Sequence, residues 1–375
     1  MGGFVALAAA MGIGRFVYTP ILPFMADGLG LTKGEAGLIA SANFLGYMLG
    51  ALAAASPALS GRRRSWAIGA LLLSAVSTGI MAFFSALPAF LVLRFIGGVA
   101  SAFALVFSSA LVMDRLAAAK RPALIALYFA GVGTGIVTSA LLVAGLARAG
   151  YDWREFWLAS GALSLIAVAL FMALVPNIAE PPAKPAAAVS DGRDRRLVAL
   201  IAAYGLFGFG YVITATFISA IVRSEADLKF LEPVIWLIVG VGAIPSVALW
   251  AWVGRRIGNG RAYALACLVE AGAVTLSVVA GAPAAVALSA LLLGGTFVGI
   301  TATGLVHARE LSRVDPRRNL ALMTAIFGIG QMIGPAFGGF LHDVSGSFRL
   351  PTLAAAAVLV IAAVLVGATA RPVLR

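Results

Sequence analysis

Apolar runs of about 20 residues, each long enough to cross a ~30 Å hydrocarbon core as a helix, recur along this chain of 375 residues. A first set lies near 4–26, 35–58, 65–85, 88–112, 122–147 and 154–175. A second set follows near 197–222, 232–254, 262–281, 284–306, 319–341 and 350–370. The pattern predicts an all-α polytopic membrane protein of twelve transmembrane helices in two pseudo-symmetric six-helix bundles. Between the sets, Pro181-Pro182, Pro185, an alanine run and the charged stretch Asp191 to Arg196 read as a polar, flexible linker. The expected organisation is an N-terminal bundle over 1–175, a linker over 176–196 and a C-terminal bundle over 197–375. Met1 to Ala10 has the hydrophobicity of a signal peptide but no basic leader, and the apolar run continues past Arg15, so an uncleaved first span is expected.

Composition sharpens this picture. The chain is 62% hydrophobic and only 11% charged, whereas soluble domains carry about 25% charged residues. Its 43 glycines suit helices whose backbones approach closely. A net charge of +12 would suggest nucleic acid, but the charges are not clustered that way. One alternating set of loops holds 19 basic residues, from Arg62-Arg63-Arg64 through Arg115, Lys120, Arg121, Lys184, Arg193 and Arg195-Arg196 to Arg255, Arg256, Arg261, Arg309, Arg313, Arg317, Arg318, Arg371 and Arg375. The opposite loops hold 6: Lys33, Arg148, Arg154, Arg223, Lys229 and Arg349. That bias places the first set, the linker and both termini in the cytoplasm. The basic excess is a topology signal, and no nucleic-acid partner is expected. A single Cys267 and two distant histidines, His307 and His342, give no disulfide framework, no metal site and no sign of a cofactor. No GxxxxGK[ST] loop is present, which argues against built-in ATP hydrolysis.

Two arginines break the apolar spans. Arg15 lies about eleven residues into an outward-running first span, near the midplane, and Arg94 about six residues, roughly 9 Å, into an inward-running fourth. A fixed cation in hydrocarbon costs about 2.5 to 3.5 kcal/mol on insertion scales and is kept where it faces a bundle interior or a watery cavity. The default reading is transport. The halves also echo one another: Gly12-Ile13-Gly14-Arg15-Phe16 in the first span against Gly208-Phe209-Gly210-Tyr211-Val212 in the seventh, and Gly131-Val132-Gly133 against Gly328-Ile329-Gly330. A duplicated six-span unit is what alternating-access carriers use, with the site between the halves.

Across essentially its whole length the chain resembles the major facilitator superfamily. Leu93-Arg94-Phe95-Ile96-Gly97-Gly98 is similar to the superfamily's fourth-span motif, and Gly330-Gln331-Met332-Ile333-Gly334-Pro335 to its glycine-proline motif, here on the eleventh span. Gly254-Arg255-Arg256-Ile257-Gly258 resembles the loop signature, whose first copy is reduced to Gly61-Arg62-Arg63-Arg64 without the usual Asp. The opening Gly12 to Pro23 resembles the YbfB/YjiJ-type bacterial branch. The missing pieces weaken a reading as a drug:proton antiporter.

The resemblance implies that the first and fourth spans line a central cavity, so Arg15 and Arg94 together would favour an organic anion, ideally a carboxylate held bidentately. For Arg94 a packing and gating element bonded to backbone carbonyls is an equal alternative. Tyr18 shares a helical face with Arg15, Asn43 with Tyr47, and Tyr204 with Tyr211. With Tyr128, Trp236, Thr303 and Gln331 these are the candidate ligand contacts, each open to the alternative of an inter-helix hydrogen bond or an interfacial anchor. Glu270, mid-way along the ninth span, is the candidate proton-coupling acid, although the resemblance makes that span peripheral and a locally hydrogen-bonded structural role equally plausible. Gly131, Gly135, Gly334 and Pro335 are expected to serve gating and close packing.

The expectation is a monomeric secondary transporter of the bacterial inner membrane, not an enzyme, moving a small organic anion by alternating access with proton symport. Its partners would be that solute, the proton and the lipid bilayer. Proton-coupled efflux of drugs or metabolites is the alternative. A membrane enzyme would need clustered acids or histidines at a membrane edge, and a non-transporting sensor or scaffold an added output domain.

Overall fold

The computed structural model describes residues 1–56, 59, 61–177, 194–312 and 316–369. Most of the expected linker, 178–193, lies outside the described residues, as do Lys184, Arg193, Arg313, Arg371, Arg375 and the side chains of Arg317 and Arg318.

Among the described residues twelve helices are long and apolar enough to cross a membrane, and there is no strand. They run Gly2–Leu29, Lys33–Ala54, Arg63–Phe83, Leu87–Ala118, Ile125–Arg148, Trp153–Leu174, Arg195–Ser224, Lys229–Ile257, Asn259–Val279, Pro283–Leu311, Asn319–Ser345 and Arg349–Gly367, called here spans 1 to 12. The near face is the one from which span 1 starts; the loops after odd-numbered spans form the far face. Several helices outlast their apolar stretch. Span 4, expected over 88–112, continues to Ala118 and at 1.5 Å per residue is about 48 Å long, because helical hydrogen bonding persists where hydropathy stops.

Local sequence sets the helix starts. Thr32 caps span 2 by accepting from the amide of Glu35, whose carboxylate accepts in turn from the amide of Thr32. Asp152 and Glu155 form the same capping box on span 6. Span 1 departs from the unbroken helix expected over 4–26. Ala8–Ile13 is a π-helix, with the Gly14 amide bonded to the Ala9 carbonyl at 2.8 Å, and regular α-helix resumes at Tyr18. Such bulges inside α-helices are frequent at functional sites.

Packing repeats every six spans. In the first half, span 1 packs on 5 and 6, span 2 on 4, and span 3 on 4 and 6; in the second, 7 packs on 11 and 12, 8 on 10, and 9 on 10 and 12. The contacts between halves obey the same rule, since span 2 packs on 11 and span 8 on 5, with span 1 against span 7 on the axis. This is the two-bundle, pseudo-two-fold architecture. Leu72, Val92, Leu141, Ile166, Phe340 and Val364 expose large apolar side chains. Buried polar groups such as Ser101, Thr214 and Ser246 are enclosed by the helices. This inversion of the soluble pattern suits a bilayer as solvent.

The glycines divide into two roles. A Cβ at Gly131 or Gly135 would meet the carbonyl oxygens of Phe4 or Ala8, so both let span 5 lie against span 1. Gly334 does the same for spans 11 and 7, where a Cβ would come within 2.6 Å of Val212. These three pack within halves. The approach between halves falls on others, above all Gly37, where a Cβ would collide with the carbonyl oxygen of Pro335.

Candidate functional site

Span 1 presents Arg15 to the middle of the molecule just beyond its π-turn. The side chain is 3% exposed, and its guanidinium carbon lies 4.2 Å from the centre of the Tyr47 ring and 4.5 Å from that of Phe44. Both distances fall within cation–π range. Its Nε and Nη2 are buried and have no hydrogen-bond partner in the protein. Those are two neighbouring nitrogens of the guanidinium fork, and such a fork can grip both oxygens of one carboxylate.

They sit at a cavity of about 70 Å³ between the halves. From the first half come Leu7, Met11, Arg15, Phe16, Tyr47 and Leu105, with Phe129 and Val132; the second half contributes Tyr211, Phe297, Val298, Thr301, Phe327 and Gln331. The aromatic residues of the second half form a wall. Tyr211 is stacked on Phe297 with centroids 5.7 Å apart and 9° between planes, and on Phe207 at 5.0 Å; the edge of Phe297 meets Phe16 at 5.8 Å. The Gln331 side-chain amide donates to the Tyr211 hydroxyl, and its Oε1 has no protein partner. Arg15 is the single charged side chain on this lining.

Arg94 lies elsewhere. Its Nη1 and Nη2 donate to the backbone carbonyls of Gly14 at 3.1 Å and Arg15 at 3.0 Å, and its guanidinium carbon is 5.1 Å from the Tyr18 ring centre. The irregular turn of span 1 leaves those carbonyls in need of donors, and Arg94 supplies them. The expected pair of guanidiniums facing one anion is thus not the arrangement found: one arginine holds the backbone from which the other projects.

Other expected residues also spend their polar atoms on helix contacts. Tyr18 donates to the carbonyl of Ala36, Asn43 to that of Arg94, and Tyr204 to that of Thr301; Tyr128 shares a hydrogen bond with Ser108. Trp236 is buried beside Phe16 and lines a far-face groove with Pro20 and Phe24. Thr303 is buried two residues past the cavity-lining Thr301, on another side of span 10. Of the eleven candidates, the structure brings Arg15, Tyr47, Tyr211 and Gln331 together on the cavity. Sequence reasoning missed Phe16, Phe297 and Phe327. The signal available was their position beside polar spans of interest, Phe16 next to Arg15 and Phe297 next to Thr296.

Glu270 is fully enclosed on span 9 and accepts a hydrogen bond from Thr296; its Oε1 has no protein partner. Thr296 precedes Phe297 in the chain, so the carboxyl stands one residue behind the cavity wall. No group of three or more potential metal ligands occurs among the described residues.

The cavity lies toward the near face from Arg15, because Leu7, Phe129 and Phe327 are all in the first turns of spans that start there. Bonds between the halves gather on the other side. Asp343 at the end of span 11 accepts from the amides of Lys33 at 3.1 Å and Gly34 at 2.8 Å, which begin span 2. Arg223 reaches Asp27 at 2.9 Å and Glu232 at 2.8 Å, and Thr19 donates to the carbonyl of Ala215. The Ser41 hydroxyl accepts from the Ala336 amide, which Pro335 precedes.

Comparisons with known proteins agree with this architecture. The nucleoside transporter NupG superposes with a TM-score of 0.79 over 98% of this chain and 99% of its own, at 16% identity. A chloramphenicol resistance protein of Streptomyces lividans is 26% identical over 87% of this chain and 84% of its own length. A proposed tartrate transporter of Agrobacterium vitis is 25% identical over 96% and 86%. Residues 7–367 match the family described as "uncharacterised MFS-type transporter YbfB". The chain belongs to that family and is a multi-pass membrane transporter of the major facilitator superfamily, not an enzyme.

Proposed function

We propose that this transporter moves a small organic anion across the bacterial inner membrane by alternating access, with the anion's carboxylate held by Arg15. The observation that carries the reading is the pair of buried, unpartnered nitrogens, Nε and Nη2, on the single charged side chain of the central cavity. A buried cation without a partner is strongly unfavourable, and an anionic ligand supplies the partner when it binds. The loop charge bias puts the near face, and so the open side of the cavity, in the cytoplasm. Closure on the far face through Asp343, Arg223 and Thr19 then corresponds to an inward-facing state. The same residues are the gate that must part when the protein turns outward. Six-span halves whose contacts repeat by pseudo-symmetry are the machinery such rocking uses.

Proton symport is the coupling we propose, with Glu270 as the group that takes the proton behind the cavity wall. The chain works as a monomer in this reading, since the cavity is closed by its own two halves. Uptake into proteoliposomes of a panel of monocarboxylates, dicarboxylates, amino acids and neutral analogues tests the proposal. Accumulation of anions and indifference to neutral analogues is the expected result; transport of neutral or cationic solutes alone would contradict it.

A further inference from the structure

Resting on the reading of Arg15 as an anion site, we infer that the transported anion is a monocarboxylate with a flat apolar or aromatic body, rather than a hydroxylated dicarboxylate. Three features of the cavity lead there.

The first is charge. Arg15 is the one charged group on the lining, and Arg94 is committed to the carbonyls of Gly14 and Arg15. One carboxylate is therefore neutralised, and a second would lie among Leu105, Phe297, Val298 and Phe327. An ionised carboxylate held in such surroundings without a partner is too costly to transfer from water.

The second is shape. Beside the guanidinium stand Tyr47, at 4.2 Å from its carbon, and Phe16, at 5.4 Å. Phe16 touches Phe297 edge-on, and Phe297 continues into the parallel faces of Tyr211 and Phe327. Rings pack best against rings in stacked or edge-on geometry, so the wall that follows the cation suits a flat body of matching polarity.

The third is the scarcity of hydrogen-bonding groups for a polyhydroxylated ligand. The Thr301 hydroxyl donates to the Phe297 carbonyl and the Gln331 amide nitrogen to Tyr211. Hydroxyls on the ligand would lose their water partners with little in exchange.

The test uses the purified full-length protein and three probes: benzoate, its neutral isostere benzamide, and tartrate. Thermal-shift and calorimetric titrations are expected to show benzoate binding at least about tenfold tighter than either of the others, the usual scale for losing a charge-assisted contact. Arg15→Gln is expected to remove the preference of benzoate over benzamide, and Phe297→Leu to weaken both. Tighter binding of tartrate than benzoate would overturn this inference while leaving the anion reading in place. Equal binding of benzamide and benzoate by the wild-type protein would overturn the anion reading itself. Absence of binding by all three probes would overturn the inference, and the uptake panel then decides the anion reading separately.

Discussion

Arg94 donates to the backbone carbonyl of Arg15 at 3.0 Å, so one buried arginine positions the main chain that carries the other. The two residues therefore answer differently to mutation. Arg94→Ala strands the carbonyls of Gly14 and Arg15, and a buried acceptor left unpaired costs about 1–3 kcal/mol. Arg94→Lys offers no planar fork and restores only part of this. Both variants are expected to lower the melting temperature. Arg15→Gln removes a buried charge that has two unpartnered nitrogens, and such changes are neutral or stabilising. Parallel melting curves that fall equally for Arg15→Gln and Arg94→Ala would refute this division.

Gly37 meets the carbonyl of Pro335 across the two halves. A methyl group there must push spans 2 and 11 apart on the far side, so Gly37→Ala is expected to fold but to resist far-face closure and to lose most of its transport. Overpacking by a methylene or so commonly costs about 1–3 kcal/mol. Gly272 has open space where its Cβ would stand, and Gly272→Ala is the matched control expected to transport normally. Equal rates for the two variants would remove Gly37 from the gate.

Asp343 caps span 2 from the opposite half, and both its oxygens are engaged. Its side chain is one-third exposed, so solvent screens the contact and about 1 kcal/mol is a reasonable worth. Asp343→Ala is then expected to raise the far-open population about fivefold. A Cys267→Ser, Ala215→Cys protein reports this, because Cys267 is the sole cysteine and Ala215 is buried at the far-side seam beside Thr19. Its labelling by a membrane-impermeant thiol reagent should accelerate by that factor. An unchanged rate would show that Asp343 is no latch.

Glu270→Gln keeps the size and the hydrogen bond to Thr296 but cannot carry a proton. It is expected to abolish accumulation driven by a pH gradient while leaving exchange of labelled for unlabelled substrate intact. Undiminished gradient-driven uptake would exclude Glu270 as the coupling site.

Much of the fold was legible because hydrocarbon imposes strong rules on sequence. Twelve apolar runs became twelve helices, and the echo of Gly12-Ile13-Gly14-Arg15 in Gly208-Phe209-Gly210-Tyr211 became a physical equivalence: Arg15 and Tyr211 face one cavity from spans 1 and 7. Helix ends such as Ala118 were not legible, since hydropathy marks the bilayer and not the last hydrogen bond. The π-turn at Ala8–Ile13 was also hidden, because no proline or polar run announces it. At the site, sequence identified Arg15 but could not separate it from Arg94, as both are lone arginines in apolar spans. Only the carbonyls that Arg94 reaches distinguish them. The aromatic wall escaped notice for a similar reason. Phe297 and Phe327 look like any other lipid-facing or core ring until their neighbours are placed.

The most direct test of Arg15 as the anion-holding group is counterflow of a labelled carboxylate substrate in proteoliposomes, comparing wild type with Arg15→Gln at matched reconstitution. Loss of counterflow by Arg15→Gln, with melting temperature preserved, is the result expected. Normal counterflow of the anion by Arg15→Gln would contradict the account.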